Sequence, residues 1–216
     1  MTVFGDSPNF RLTHSGSTNK YNALYANVNG TGVEFNSYQD GTGTRRPFAF
    51  KQYTTEVLSI TNAGDVGISS AIPSSLLDVR GSISVGPGIV AENLYTVASA
   101  LTGTVNFDVV TNGLVQYHTT NSSGTFVVNL RGDGSTTLNS LLRIGQTTVF
   151  TLYSAQNNAS YYMTDFQIDG SSQTEKWNGG SAPSTGTASG VDVYTFNIMK
   201  TANATFTVFA TFSNFA

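Results

Sequence analysis

Residues 60–86 read ITNAGDVGISSAIPSSLLDVRGSISVG, and the role of their glycines decides what kind of molecule this is. They could form a loop that cradles a phosphate, or they could be joints in a β-structure that does no chemistry. The spacing fits neither G-x-G-x-x-G nor G-x-x-x-x-G-K-S/T, and no helical pattern follows to present backbone N–H groups to an anion. Val57, Ile60, Val66 and Ile68 instead read as the apolar positions of two strands closed by Asn62-Ala63-Gly64, whose residues accept a positive φ. Pro73 interrupts an extended linker, and short strands are expected at 76–79 and 82–85. Asn62, Gly64, Gly67 and Gly81 are therefore read as structural turn and crossing positions.

Toward the N-terminus the same style continues. Short strand-like pieces at 9–13, 21–28, 32–38, 48–53 and 56–61 are separated by turn residues that include Asn29-Gly30 and Asp40-Gly41. Each piece offers two or three apolar side chains, too few to offset a backbone ordering cost of about 1–2 kcal/mol per residue. Such a ribbon is stable only when stacked on something else. The partner is either the next element of a solenoid or other copies of the chain. Charged residues make up 11% of the chain, which leaves few charges to guard edge strands and favours self-association, with a homotrimer as the expected form.

Toward the C-terminus the strands lengthen. Residues 104–110, 114–119 and 125–131 read as a meander whose first turn is Thr111-Asn112-Gly113. Leu138, Leu141, Leu142 and Ile144 have helical spacing with Gly145 as a stop, which predicts one short helix. Strands at 147–153, 161–168, 191–200 and 205–212 follow, the last two as a hairpin through 201–204. The fold class is all-β: a short-strand shaft or hairpin module over 1–100, then a β-sandwich or jelly-roll-like head over 101–216. The loop DGSSQTEKWNGGSAPSTGTASG, at 169–190, is the longest and holds the sole tryptophan. Trp177, flanked by Lys176 and Asn178, is the candidate receptor or partner contact, since an indole face can stack on a sugar ring. The alternative is that Trp177 plugs the end of the sandwich or a subunit interface.

Composition excludes other classes. A net charge of -3 gives no basic patch for nucleic acid, and Arg45-Arg46 is an isolated pair. Without cysteine there is no disulfide framework or thiolate metal site. No stretch approaches the ~20 apolar residues of a bilayer span, and no cationic start or apolar h-region marks a classical signal, so no membrane insertion is expected. His14, placed in a Ser/Gly turn, and His118, at a strand end, lack metal-ligand spacing. The G-x-S-x-G elbow is absent. No catalytic residue, metal or cofactor is expected, and the chain is read as not an enzyme.

The segment LSITNAGDVGISSAIPSSLLDVRGSISVG resembles modules of tailed-bacteriophage fibre and other virion proteins, in which a strand, an Asn/Ser-x-Gly turn, a Val-Gly-Ile step, a Ser/Pro linker and Leu-Asp-Val-x-Gly recur. With the preceding NALYANVNGTGVEFNSYQDGTGTRRPFAFKQYTTEVLSI the likeness covers roughly residues 20–86. FDVVTNGLVQYHTTNSSGTFVVNLRGD, TLNSLLRIGQ, FQIDG and KWNGGSAPSTG resemble a terminal module of cyanophage structural proteins. The resemblance implies a trimeric tail fibre or short fibre, located in the virion and displaying its head for host attachment. Implied partners are copies of the chain, other virion proteins and a host surface glycan or receptor. A capsid-decorating, head-fibre or neck/collar appendage is the alternative, and a polysaccharide-degrading spike the remote one. The module begins almost at Met1, which leaves no dedicated anchor, and the chain ends in the strand TFTVFATFSNFA rather than a self-cleaving helical chaperone.

Overall fold

The computed structural model, described for residues 9–16, 20–29, 32–40 and 47–216, divides into two compact units, Met1–Ile89 and Val90–Ala216. Both are built of strands. The turns expected at Asn29-Gly30 and Asp40-Gly41, and the Arg45-Arg46 pair, involve positions outside the described residues.

In the first unit, β1 (Asn9–Gly16), β2 (Lys20–Asn29) and β3 (Gly32–Asp40) form an antiparallel three-stranded sheet. His14 lies within β1, opposite Asn22, rather than in a turn, because the strand runs on through Ser15 and Gly16. A second sheet has the order β4 (Phe48–Gln52), β5 (Thr55–Ile60), β6 (Val66–Ile68), β7 (Leu77–Val79). The β5–β6 hairpin closes as the sequence predicts: Gly64 has φ 93°, its N–H donates to the Thr61 carbonyl at 3.0 Å, and the Thr61 N–H donates to the Asp65 carbonyl at 2.9 Å.

β7 then returns parallel to β6. The crossover between them fixes one glycine. A Cβ on Gly67 would stand 2.0 Å from the Ser70 carbonyl oxygen, so Gly67 is a close-approach residue in mid-strand and not a turn residue. The Ser59 hydroxyl donates to that same carbonyl at 2.8 Å. Asp78 ties the crossover together by accepting from the Ser70 hydroxyl at 3.0 Å and the Ser74 N–H at 3.1 Å. Its carboxyl lies below the ordinary range: burial works against ionisation, but these bonds and the neighbouring Arg80 outweigh it. Gly81 sits in an open bend after β7. Residues 82–85 are not a strand; Ile83 and Val85 are exposed and pair with no strand among the described residues.

The second unit begins earlier than residue 100, because β8 (Leu94–Val97) belongs to its sheet. The strands are β9 (Gly103–Asp108), β10 (Val115–His118), β11 (Phe126–Arg131), β12 (Thr147–Gln156), β13 (Met163–Ile168), β14 (Ser171–Ser172), β15 (Glu175–Trp177), β16 (Gly190–Ala202) and β17 (Thr205–Phe215). A six-stranded sheet has the order β15-β17-β16-β12-β10-β8, and a four-stranded sheet the order β14-β13-β11-β9.

The pairing differs from a meander. β9 and β10 are not hairpin partners but lie in different sheets; β8, β10 and β12 are parallel neighbours in one, and β9, β11 and β13 in the other. The chain changes sheet at every strand from β8 to β13 and so winds as a flattened coil. The one-turn helix α1 (Val109–Asn112), ending on Gly113 at φ 75°, carries it across where a hairpin turn was expected. The β16–β17 hairpin closes the larger sheet antiparallel, as expected.

The two sheets share one core. The Phe166 and Phe196 rings stack at 4.0 Å across it, Phe107 meets Phe150 edge-on at 5.4 Å, and Phe126 meets Tyr194 at 5.9 Å. The expected short helix is α2 (Leu138–Leu141), held at both ends, but it stops at an extended Leu142, so Leu142 and Ile144 lie outside it and Gly145 is not its stop. The Thr137 side chain accepts from the Ser140 N–H, and Asp169 accepts from Leu138 N at 2.7 Å and Asn139 N at 2.9 Å. At the other end Lys200 Nζ donates to the Asn139 carbonyl and to the Leu142 carbonyl at 2.8 Å.

Candidate functional site

The sequence places Lys176, Trp177 and Asn178 together, but the backbone separates them. Glu175 and Trp177 stand opposite Val208 and Ala210 of β17, both of which face the core, so Glu175 and Trp177 also turn inward at the edge of the sandwich. Trp177 is half-buried, and its ring meets Phe196 edge-on at 6.2 Å. Lys176 points the other way, with its ammonium 5.5 Å from the centre of the Phe209 ring. Asn178 is exposed and starts a 3-10 turn whose Gly179 and Gly180 have φ 79° and 85°.

Inward of this edge lies a cleft of about 260 Å³, lined by Tyr162, Met163, Thr164, Asp165, Glu175, Trp177, Ala182, Pro183 and Ser184. Burial pushes the Glu175 carboxyl above the ordinary carboxylate range and the charge of Asp165 adds to the shift, while hydrogen bonding from the Trp177 side chain and from the Glu175 and Phe166 backbone opposes it. Glu175 Oε1 and Trp177 Nε1 are both shielded from solvent, and neither completes a hydrogen bond in good geometry. Asp165 Oδ2 accepts from the Ser172 hydroxyl at 2.7 Å and from Gln167 Nε2 at 2.9 Å. Asp165 and Glu175 are the residues the sequence reading missed. The available signal was the alternation Glu-Lys-Trp, which puts Glu175 and Trp177 on one face once 175–177 is recognised as a strand rather than loop.

A second constellation holds the residue types of a hydrolase without its geometry. His118, Ser154 and Asp192 are lateral neighbours on β10, β12 and β16, all pointing into one end of the core. A catalytic triad needs the histidine between serine and acid. Here serine stands between them, and His118 Nδ1 is engaged by the Ser99 carbonyl at 3.1 Å and hydroxyl at 3.2 Å. Ser154 is fully buried, bonded to Ser122 Oγ at 3.0 Å and Gln156 Nε2 at 3.0 Å. The row is a buried polar layer. Within it Asp192 accepts from the Thr187 N–H at 3.0 Å while its Oδ2 has no partner, and burial raises its pKa to about 6. Burial also lowers the pKa of His118, keeping the ring neutral.

A third hollow, of about 270 Å³, is lined by Asn129, Arg131, residues 133–137, Asp169 and Gly170. Its charges are already used: Arg131 Nε meets Asp108 Oδ1 at 2.6 Å, and Asp133 holds its own loop through the Ser135 and Thr136 N–H groups, each at 2.7 Å. Among the described residues no group of three or more His, Asp or Glu gathers as a metal site, and no helix is long and apolar enough to cross a membrane. In comparison with known proteins, the chain matches no family model and no curated protein.

Proposed function

We propose that the chain is a non-enzymatic structural component of a tailed-phage virion, which self-associates through its first unit and displays its second unit to a host surface. The trimeric fibre or short fibre implied by the sequence resemblance is the form this takes. One observation carries the reading: among residues 47–89 only Ser59, Gly67 and Ser70 are buried, and no apolar side chain is. Ile72, Leu76, Ile83 and Ile89 stand 79%, 77%, 70% and 89% exposed. Exposed apolar side chains so dense along one segment mark an interaction surface, and copies of the same chain supply the complementary strands.

The test is the native mass of the full-length protein, with immunogold labelling of virions from a phage that encodes it. A trimer mass and labelled appendages are the expected results. A stable monomer at micromolar concentration overturns the assembly reading. Oligosaccharides released from host polysaccharide by the purified protein overturn the non-enzymatic one.

A further inference from the structure

We propose that the cleft at the edge of the second unit binds a primary ammonium group carried on a compact, partly apolar body. Two carboxylates, Asp165 and Glu175, line one small hollow, and neither has an ion-pair partner among the described residues, where the pairs are Lys51–Glu56, Arg80–Asp78 and Arg131–Asp108. A shielded carboxylate without a cation is costly, and a ligand that supplies the cation recovers that cost.

The remaining walls select the kind of cation. Tyr162 and Trp177 are aromatic, Met163, Ala182 and Pro183 are apolar, and Thr164 and Ser184 bring hydroxyls. A hard metal ion is satisfied by six to eight oxygens and gains nothing from aromatic or thioether walls. An alkylammonium gains from both: its charge meets the carboxylates, and its C–H groups and charge lie against aromatic rings. The volume of about 260 Å³ is below the range of drug-sized pockets and suits one sugar residue or one side chain. A neutral sugar stacked on Trp177 fits less well, because the indole is half-buried and committed edge-on to Phe196. It would also leave both carboxylates without a cation. The chemistry is shared by two sources, an amino sugar of a surface polysaccharide and a lysyl side chain of a surface protein. The inference rests on the display reading only for its biological setting.

Trp177 is the sole tryptophan, so its fluorescence and indole N–H resonance report this cleft alone. The full-length protein is titrated with D-glucosamine and N-acetyl-D-glucosamine, and separately with Nα-acetyl-lysine amide and its neutral norleucine analogue. The expected result is that at least one ammonium probe shifts the Trp177 signals and binds at least about tenfold more tightly than its neutral partner. The source is the pair in which this occurs. Glu175→Gln weakens that binding by about tenfold or more; Asp165→Asn is the second variant if the first does not fold, and added salt weakens wild-type binding. Equal binding of charged and neutral probes, no binding of either ammonium probe, or unchanged affinity in the folded variants overturns the site. Because the mass measurement tests assembly and the titration tests the cleft, failure of one is distinguishable from failure of the other.

Discussion

Residues 90–216 bury sixteen apolar side chains in one cluster, from Leu101 to Ala210, whereas residues 47–89 bury none, although both segments are written in alternating strands. The difference lies in what each strand meets. In the second unit two sheets face each other, so inward apolar side chains of one sheet pack against those of the other. In the sheet β4-β5-β6-β7 the apolar side chains face no second layer supplied by these residues, and order comes from hydrogen bonds and close backbone approach around Ser59, Gly67, Ser70 and Asp78. One region holds its fold by burial, the other by local polar geometry. Four experiments press on that contrast.

The largest effect is expected at the stacked pair Phe166–Phe196. Phe196→Ala removes a fully buried ring that also touches Phe150 and Trp177, and should destabilise the second unit by about 3–5 kcal/mol. Chemical denaturation followed by Trp177 fluorescence measures it. A loss below about 1 kcal/mol would mean that the sandwich does not rely on its shared core.

Next comes the buried polar layer, which is read through pH. The folded pKa of Asp192, about 6, lies above its ordinary value of 3.8, so the folded state holds the proton more tightly. Stability from this group is full below the unfolded pKa and is lost as pH rises from about 4 through about 6, a difference of about 3 kcal/mol. His118 acts in the opposite sense: its pKa is lowered, so its contribution is full above the ordinary value of 6.5 and falls as pH drops. Within this layer the two contributions oppose each other. Asp192→Asn keeps an acceptor for the Thr187 N–H and should remove the aspartate's share of the profile; the difference between wild type and variant in denaturation at pH 4.5 and 7.5, about 1.5 on either side of the Asp192 midpoint, measures that share.

This layer also marks where sequence reasoning stops. The Asn62–Gly64 hairpin, the helix at Leu138 and the β16–β17 hairpin were legible because each is specified by neighbours in sequence: a positive-φ turn, a cap, a short loop. The parallel pairings were not, because a period of two tells which face a side chain takes and not which strand lies beside it. β8 was missed since its four residues are mostly exposed and show no alternation. The burial of Asp192 and the meeting of Glu175 with Asp165 depend on strands brought together from distant parts of the chain. Trp177 was legible as a singular residue, but its inward direction depends on β15 pairing with β17, which no local signal announces.

A smaller and more local effect is expected at Gly67. The added Cβ of Gly67→Ala meets the Ser70 carbonyl and the Ser59 hydroxyl, neither of which moves without breaking the bond between them, so the crossover should open at about 1–3 kcal/mol. Hydrogen exchange over 66–80 should rise while the unfolding transition of residues 90–216 stays in place. Equal destabilisation of both units would break the contrast, because it would make the polar crossover part of the sandwich's own stability.

The smallest effect within one chain is expected at Ile83, which is 70% exposed and outside any strand. Ile83→Ser removes almost no burial from the monomer, so intrachain stability should change by less than about 0.5 kcal/mol. If copies of the chain cover this segment, the same substitution removes a buried side chain from every subunit at once, and the dissociation constant of the assembly rises steeply with the number of subunits affected. Sedimentation velocity across a dilution series reads the assembly, and denaturation of residues 90–216 reads the single chain. Loss of the assembly with an unmoved unfolding midpoint is the expected outcome, because a side chain that does nothing for its own subunit then contributes only at a contact between subunits. An assembly unchanged by Ile83→Ser would place the contact elsewhere along 72–90 and remove Ile83 from it.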